Sequence, residues 1–195
     1  MGYYNASSES ECRIALCAIA KNENRYIREW VDYYRSLGID QVFLYDNNEL
    51  DGERFEDVIG DYMEEGYVEV IDVRGVQKGL VYEGGVNLQP KCYIDCYNQY
   101  GEDFEWMCFF DIDEFLEIKS GGLLVDALKC GKYDKYDTVM VSWENYDDNG
   151  LIYYKKGSVR KLFTHKSKCK DHGLKSIVRT GGNIYKGHDG QLLTK

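Results

Sequence analysis

Basic residues are in short supply in this chain, and that shortage argues against nucleic acid as a partner. Against 34 Asp and Glu stand 24 Lys and Arg, a net charge of -10, and such a surface repels a phosphate backbone. Proline occurs once, at Pro90, so proline-rich linkers and recognition tracts are absent. No apolar run approaches the ~20 residues that span a bilayer. No signal peptide is visible either, which points to a cytoplasmic protein, with peripheral membrane association as the closest approach to a bilayer. The seven cysteines lack the spacing of a zinc site and read as reduced, mostly buried thiols. A glycine-rich loop of the Walker type is also missing, which weighs against ordinary phosphoryl-transfer machinery.

What is present is a globular composition. The chain has 195 residues, 44% hydrophobic and 30% charged, enough for one domain with a sizeable core. Eighteen tyrosines outnumber seven phenylalanines, a supply of amphipathic rings suited to half-buried packing and to stacking on sugars. Residues 1–11 are polar and are expected to fray. No repeat, linker or low-complexity run divides residues 12–195, so a single domain is expected.

Apolar periodicity then organises the chain. Residues 12–20 form a near-continuous apolar run, the mark of a central parallel strand. Residues 24–37 place Tyr26, Ile27, Trp30, Val31, Tyr34 and Leu37 on one helical face, with Gly38 as the stop. A second strand at 41–45 ends in Asp46-Asn47-Asn48. A second helix at 54–65 turns Phe55, Val58, Ile59, Tyr62 and Met63 inward and stops at Gly66. A third strand spans 67–73, a glycine-rich loop 74–88, and a helix 89–100 with Pro90 in its first turn. A short helix near 123–129, a strand at 136–143 and a polar loop at 144–150 follow. The alternation predicts an α/β fold, with a mixed, mainly parallel sheet, right-handed crossovers and flanking helices.

The stretch Trp106-Met107-Cys108-Phe109-Phe110-Asp111-Ile112-Asp113-Glu114-Phe115 carries the chemistry. It reads as a buried strand ending in carboxylates, and in open α/β sheets ligands bind beyond the carboxyl ends of strands. On an extended segment Asp111 and Asp113 point the same way, and Ile112 points back. Two adjacent carboxylates repel unless a cation lies between them, and a hard divalent ion such as Mn²⁺ or Mg²⁺ fits.

These segments together resemble glycosyltransferases of the GT-A (Rossmann-like) fold, in the family-2-like and family-92-like group. The residues that carry the resemblance are Ala18-Ile19-Ala20-Lys21-Asn22-Glu23, Glu29-Trp30, Tyr45-Asp46-Asn47 and Asp111-Ile112-Asp113-Glu114-Phe115. Further matches are Trp143 with Tyr146-Asp147-Asp148-Asn149-Gly150, and Lys175-Ser176-Ile177-Val178-Arg179 followed by His188. The family pattern continues beyond Lys195, so the chain is expected to be a truncated or short version of it.

The resemblance implies transfer of a sugar from a nucleotide-sugar donor, with UDP as the expected nucleotide, to a glycan or other hydroxyl acceptor. It implies that the backbone around Ala18 lies along the nucleotide near Asn22 and Glu23. Asp46 would take the base or ribose, with a turn cap as its alternative. Lys91 would meet a phosphate, and Asp111, Ile112 and Asp113 would face the donor. Asp111 and Asp113 would hold the metal, with His188 as a further ligand and His172 as its competitor. If transfer inverts the anomeric centre, a carboxylate must deprotonate the acceptor. The loop after the 136–143 strand supplies the candidates, Asp148 first, then Asp147 and Glu144. The alternatives are a non-catalytic nucleotide-sugar-binding protein of the same fold and a metal-dependent phosphoryl-transfer enzyme.

Overall fold

The computed structural model describes residues 12–76, 88–129, 131–153, 155–168, 173–186 and 192–194. The apolar run near the start becomes β1 (Ile14–Ala20), followed by α1 (Ile27–Ser36), β2 (Gln41–Asp46), α2 (Glu56–Glu64) and β3 (Val68–Asp72). Next come α3 (Leu88–Tyr100), β4 (Trp106–Phe109), α4 (Leu124–Lys129), β5 (Thr138–Ser142), the single turn α5 (Val159–Leu162) and β6 (Leu174–Arg179). A small hairpin, β7 (Ile184–Lys186) with β8 (Leu192–Thr194), closes the described chain.

Six strands form one sheet in the order β3-β2-β1-β4-β6-β5. Strands β1 to β4 are parallel, and β6 runs antiparallel to both β4 and β5. This is the mixed, mainly parallel α/β sheet that the alternation predicted. What the pattern did not reveal is that β6, last of the six in the chain, inserts between β4 and β5. Because β5 and β4 are both antiparallel to β6, their carboxyl ends still share an edge.

Side-chain alternation on β1 divides the core between the two faces. Ile14, Leu16, Ala18 and Ala20 pack against α1, α2 and α4, whereas Ala15 and Cys17 pack under α3. The predicted inner face of α1 is the buried one, with Ile27, Trp30, Val31 and Tyr34 fully covered. Both predicted glycine stops hold. At Gly38 (φ 83°) and Gly66 (φ 74°) the chain turns left-handed. Ile39 N–H then donates to Tyr34 O and Tyr67 N–H to Tyr62 O, closing the helix ends. The five described cysteines, Cys12, Cys17, Cys92, Cys96 and Cys108, are free and buried, as their spacing suggested. Among the described residues no helix is long and apolar enough to cross a membrane.

Candidate functional site

The direction of sheet growth reverses at β1, with β2 and β3 on one side and β4 on the other. A reversal of this kind leaves a crevice past the carboxyl ends of the strands. Here the crevice has a step, because β4 pairs with β1 only as far as Cys17 and Phe109 while β1 runs on to Ala20. Ala18 lies in that overhang, fully buried in the core and paired with Leu44 of β2, so no part of it is presented to solvent.

One wall follows β1 and β2. Asn22 adopts a left-handed φ of 60° and donates its N–H to Asn48 Oδ1 at 2.7 Å. Asn48 N–H donates to Asp46 Oδ1 at 2.9 Å. Asp46 is only 2% exposed, has Arg74 Nε 3.6 Å from its Oδ2, and is pushed above the usual carboxylate range by burial. Of its two expected roles, the turn cap is the one its surroundings match: the carboxylate is enclosed by Asn48 and Arg74. Arg74 also makes a two-point ion pair with Asp72, at 3.1 and 2.8 Å. The carbonyl of Glu23 accepts the N–H groups of Tyr26 and Ile27 and so starts α1. The Glu23 carboxyl is pushed up by burial and, after that, by the charges of Asp113 and Glu53.

The other wall is the acidic segment, and here the extended-strand expectation fails. β4 ends at Phe109, and Glu114 N–H donates to Asp111 O at 3.1 Å, closing a turn over residues 111–114. The turn forms because α1 captures the carbonyls that an extended strand would hold apart. Trp30 Nε1 donates to Asp111 O at 2.9 Å and to Glu114 O at 3.1 Å. Tyr34 Oη donates to Glu114 O and accepts Leu116 N–H, both at 3.1 Å. With Phe110 and Ile112 buried at 3% each, the two aspartates part company. Asp113 is exposed, and its carboxylate makes no hydrogen bond or ion pair among the described residues. Asp111 points inward, with Oδ1 accepting from Gln89 Nε2 at 2.5 Å and Tyr93 Oη at 3.2 Å.

The second oxygen of Asp111 meets a cation from the protein itself. Lys175 Nζ lies 2.6 Å from Asp111 Oδ2 and 3.3 Å from Glu114 Oε2. Glu114, whose Oε2 also accepts the Asp111 N–H at 3.0 Å, is pushed up to about 7 by burial. Above the lysine sits Trp143, 36% exposed, with its ring centroid 5.5 Å from Nζ. The indole lies flat on Gly173, where a Cβ would come within 2.1 Å of the ring.

Several expected site residues stand elsewhere. Lys91 is two residues from both Gln89 and Tyr93 on α3, so it lies about 200° around the helix from the face that meets Asp111. Glu144 is exposed and bound to Lys166 at 2.7 Å, which lowers its pKa and its strength as a base. Asp147 and Asp148 are exposed on a loop that opens on the crevice edge, as expected from the strand that precedes it. Asn149 and Gly150, with φ of 51° and 73°, form the anticipated tight turn, closed by Leu151 N–H to Asp148 O at 2.9 Å. Asp148 Oδ1 also accepts Gly150 N–H at 2.9 Å. His188 and His172 lie outside the described residues.

Sequence reasoning gave no role to Gln89, Tyr93 or Arg74, and named Lys175 only within the Lys175–Arg179 match. Nothing local marks Lys175 as buried, because Leu174–Arg179 mixes three apolar residues with Lys175, Ser176 and Arg179. Among the described residues no cluster of three His, Cys, Asp or Glu side chains could hold a metal ion. Toward a hard divalent cation Asp113 offers an unengaged carboxylate, whereas Asp111 would have to give up Lys175.

Comparison with known proteins identifies the family. The profile of Glycosyltransferase family 92 matches residues 14–181. A glycosyltransferase family 92 protein of Ricinus communis is 27% identical over 180 residues, covering 87% of this chain and 31% of that protein. A family 92 protein of Arabidopsis thaliana is 26% identical over 175 residues, covering 85% and 28%. The galactan beta-1,4-galactosyltransferase GALS2 of Arabidopsis thaliana is 32% identical over 143 residues, covering 70% and 27%. The chain thus spans less than a third of the length of these curated relatives.

Proposed function

The chain belongs to glycosyltransferase family 92, and from that membership we propose that it transfers a sugar from a nucleotide-sugar donor, a UDP-sugar, to a saccharide acceptor. The observation that supports the reading is the edge beyond the carboxyl ends of β1 and β4, where the strand order reverses. It has the Ala18–Asn22 backbone on one wall, and Asp111 with Lys175 on the other. The likeness to a galactan β-1,4-galactosyltransferase makes UDP-galactose and β-1,4-galactan the first donor and acceptor to try.

A β-linkage made from an α-configured UDP-sugar requires inversion. The acceptor oxygen attacks the anomeric carbon on the face opposite the diphosphate, the bond from that carbon to the phosphate oxygen breaks, and its electron pair leaves with UDP. The acceptor proton passes to a carboxylate on the attacking side. We assign that carboxylate to Asp148 ahead of Asp147: Gly150 N–H holds one oxygen of Asp148 and leaves the other for the proton. Glu144 is the weakest candidate because Lys166 holds it ionised. A bound Mn²⁺ or Mg²⁺ would supply positive charge for the departing diphosphate; Asp113, whose carboxylate is unengaged, would hold it, and Asp111 would join only on giving up Lys175.

The test is thermal unfolding with UDP and Mn²⁺ against ADP or ATP and Mn²⁺. Ligand at 100 times its dissociation constant stabilises the folded state by about 2.7 kcal/mol, which raises Tm by roughly 5–10 °C in a domain of this size. UDP should protect, and EDTA should abolish most of that protection. Protection by ATP without protection by UDP would turn the reading toward phosphoryl transfer. Binding of UDP-sugar without turnover would turn it toward a non-catalytic binding protein.

A further inference from the structure

The cation that Asp111 calls for is already in the site, and it belongs to the protein. Lys175 is one of the few buried charged side chains, with only 9% of it exposed, and both carboxylates it meets belong to the 111–114 turn. Both oxygens of Asp111 are engaged: Gln89 and Tyr93 donate to one and Lys175 to the other. A divalent cation on that second oxygen would compete with the ammonium for its negative charge, and the two positive charges in a partly buried site repel. The competition favours one cation at a time. The ammonium already touches a second group, the half-exposed Trp143 ring with its centroid 5.5 Å away, and an aromatic face can keep a cation that gives up its carboxylate.

We propose that Lys175 is a positioning residue that holds Asp111 in place before the metal arrives, gives it up to the metal, and then takes the donor diphosphate. The proposal rests on the reading of the site as a nucleotide-sugar crevice. It extends that reading by making the first aspartate a group exchanged between two cations rather than a standing metal ligand. The exchange keeps the turn ordered and its charge neutralised when no donor is bound. It also delivers a second positive charge to the phosphates at the moment the metal takes the first carboxylate. A purely structural ion pair would do the first but not the second, and it would stay closed when Mn²⁺ binds, so the accessibility of Lys175 under Mn²⁺ separates the two roles.

The experiment is Mn²⁺ titration of the nucleotide-free chain, followed by calorimetry or by the electron paramagnetic resonance of free Mn²⁺. Lys175→Met should bind Mn²⁺ at least tenfold more tightly than the unaltered chain, because Asp111 and Glu114 have lost their competing cation. Lys175→Arg should restore the weaker binding. The gain should vanish in Lys175→Met/Asp111→Asn, which separates exchange at Asp111 from a general effect of net charge. A folded Lys175→Met variant that binds Mn²⁺ no more tightly, or more weakly, overturns the proposal. Where Lys175→Met fails to fold, lysine acetylation of the unaltered chain decides, read by mass spectrometry. Saturating Mn²⁺ should raise the labelling of Lys175 several-fold, and an unchanged rate overturns the proposal. These readouts involve no sugar chemistry, so failure of UDP to bind would strike the proposed function and leave the exchange standing or falling separately.

Discussion

Two tyrosines on neighbouring elements offer a controlled test of what holds the acidic turn. Tyr34, fully buried on α1, bridges the turn with its hydroxyl, donating to Glu114 O and accepting Leu116 N–H at 3.1 Å each. Tyr34→Phe keeps the ring and removes that bridge. Glu114 O retains Trp30 Nε1 at 3.1 Å, so the group left stranded is Leu116 N–H. An orphaned donor costs about 1–3 kcal/mol. Leu116 is only half-buried, which places the cost at about 1–2 kcal/mol and the fall in Tm at about 2–8 °C. The companion is Tyr67, whose buried hydroxyl has no hydrogen-bond partner among the described residues. Its ring keeps its contacts with Tyr62 and Arg35 whether or not the oxygen is present. Tyr67→Phe removes a group already stripped of water and should leave Tm unchanged or raise it. The assay is calorimetric melting of both variants and the unaltered chain, paired with UDP affinity, which should fall for Tyr34→Phe alone because the turn carries Asp111. Equal losses of Tm in both variants would refute the account of which hydroxyl is bonded.

Other expectations follow from the same contacts. Gly173→Ala drives a methyl into the Trp143 indole and should destabilise by about 1–3 kcal/mol, a loss that Trp143→Ala in the same chain should largely recover; additive losses in a melting experiment would contradict the contact. Asp148→Asn should lower turnover by orders of magnitude while UDP-sugar affinity holds, and Asp147→Asn should do less; normal turnover in both would place the base elsewhere. Burial pushes the thiols of Cys12 and Cys92 up to about 12, so alkylation mapped by mass spectrometry at pH 8 should spare both in the native chain and label them after denaturation. Rapid native labelling of either would show that it is reached by solvent.

The strands, helices and their stops were legible because each is written in neighbouring residues. The apolar run of β1, the face of α1 carrying Trp30, Val31 and Tyr34, the stops at Gly38 and Gly66, and the Asn149-Gly150 turn all follow from periodicity or from backbone preference over a few positions. Strand–helix alternation was enough to imply a parallel sheet, and a parallel sheet places Asp46, Asp111 and the Asp147–Asp148 loop on one edge. The insertion of β6 was not legible, because pairing between β4 and β6 joins residues some 70 positions apart and leaves no local periodicity. The same holds for the site. Asp-x-Asp announced a need for positive charge, but an antiparallel strand 64 residues later decided that Lys175 would supply it. The different surroundings of Asp111, bonded within the site, and Asp113, exposed, were likewise a tertiary outcome. On its own the segment favours an extended strand; the Trp30 and Tyr34 donors on α1 reach over and fold it into a turn, because buried carbonyls take the partners that packing brings to them.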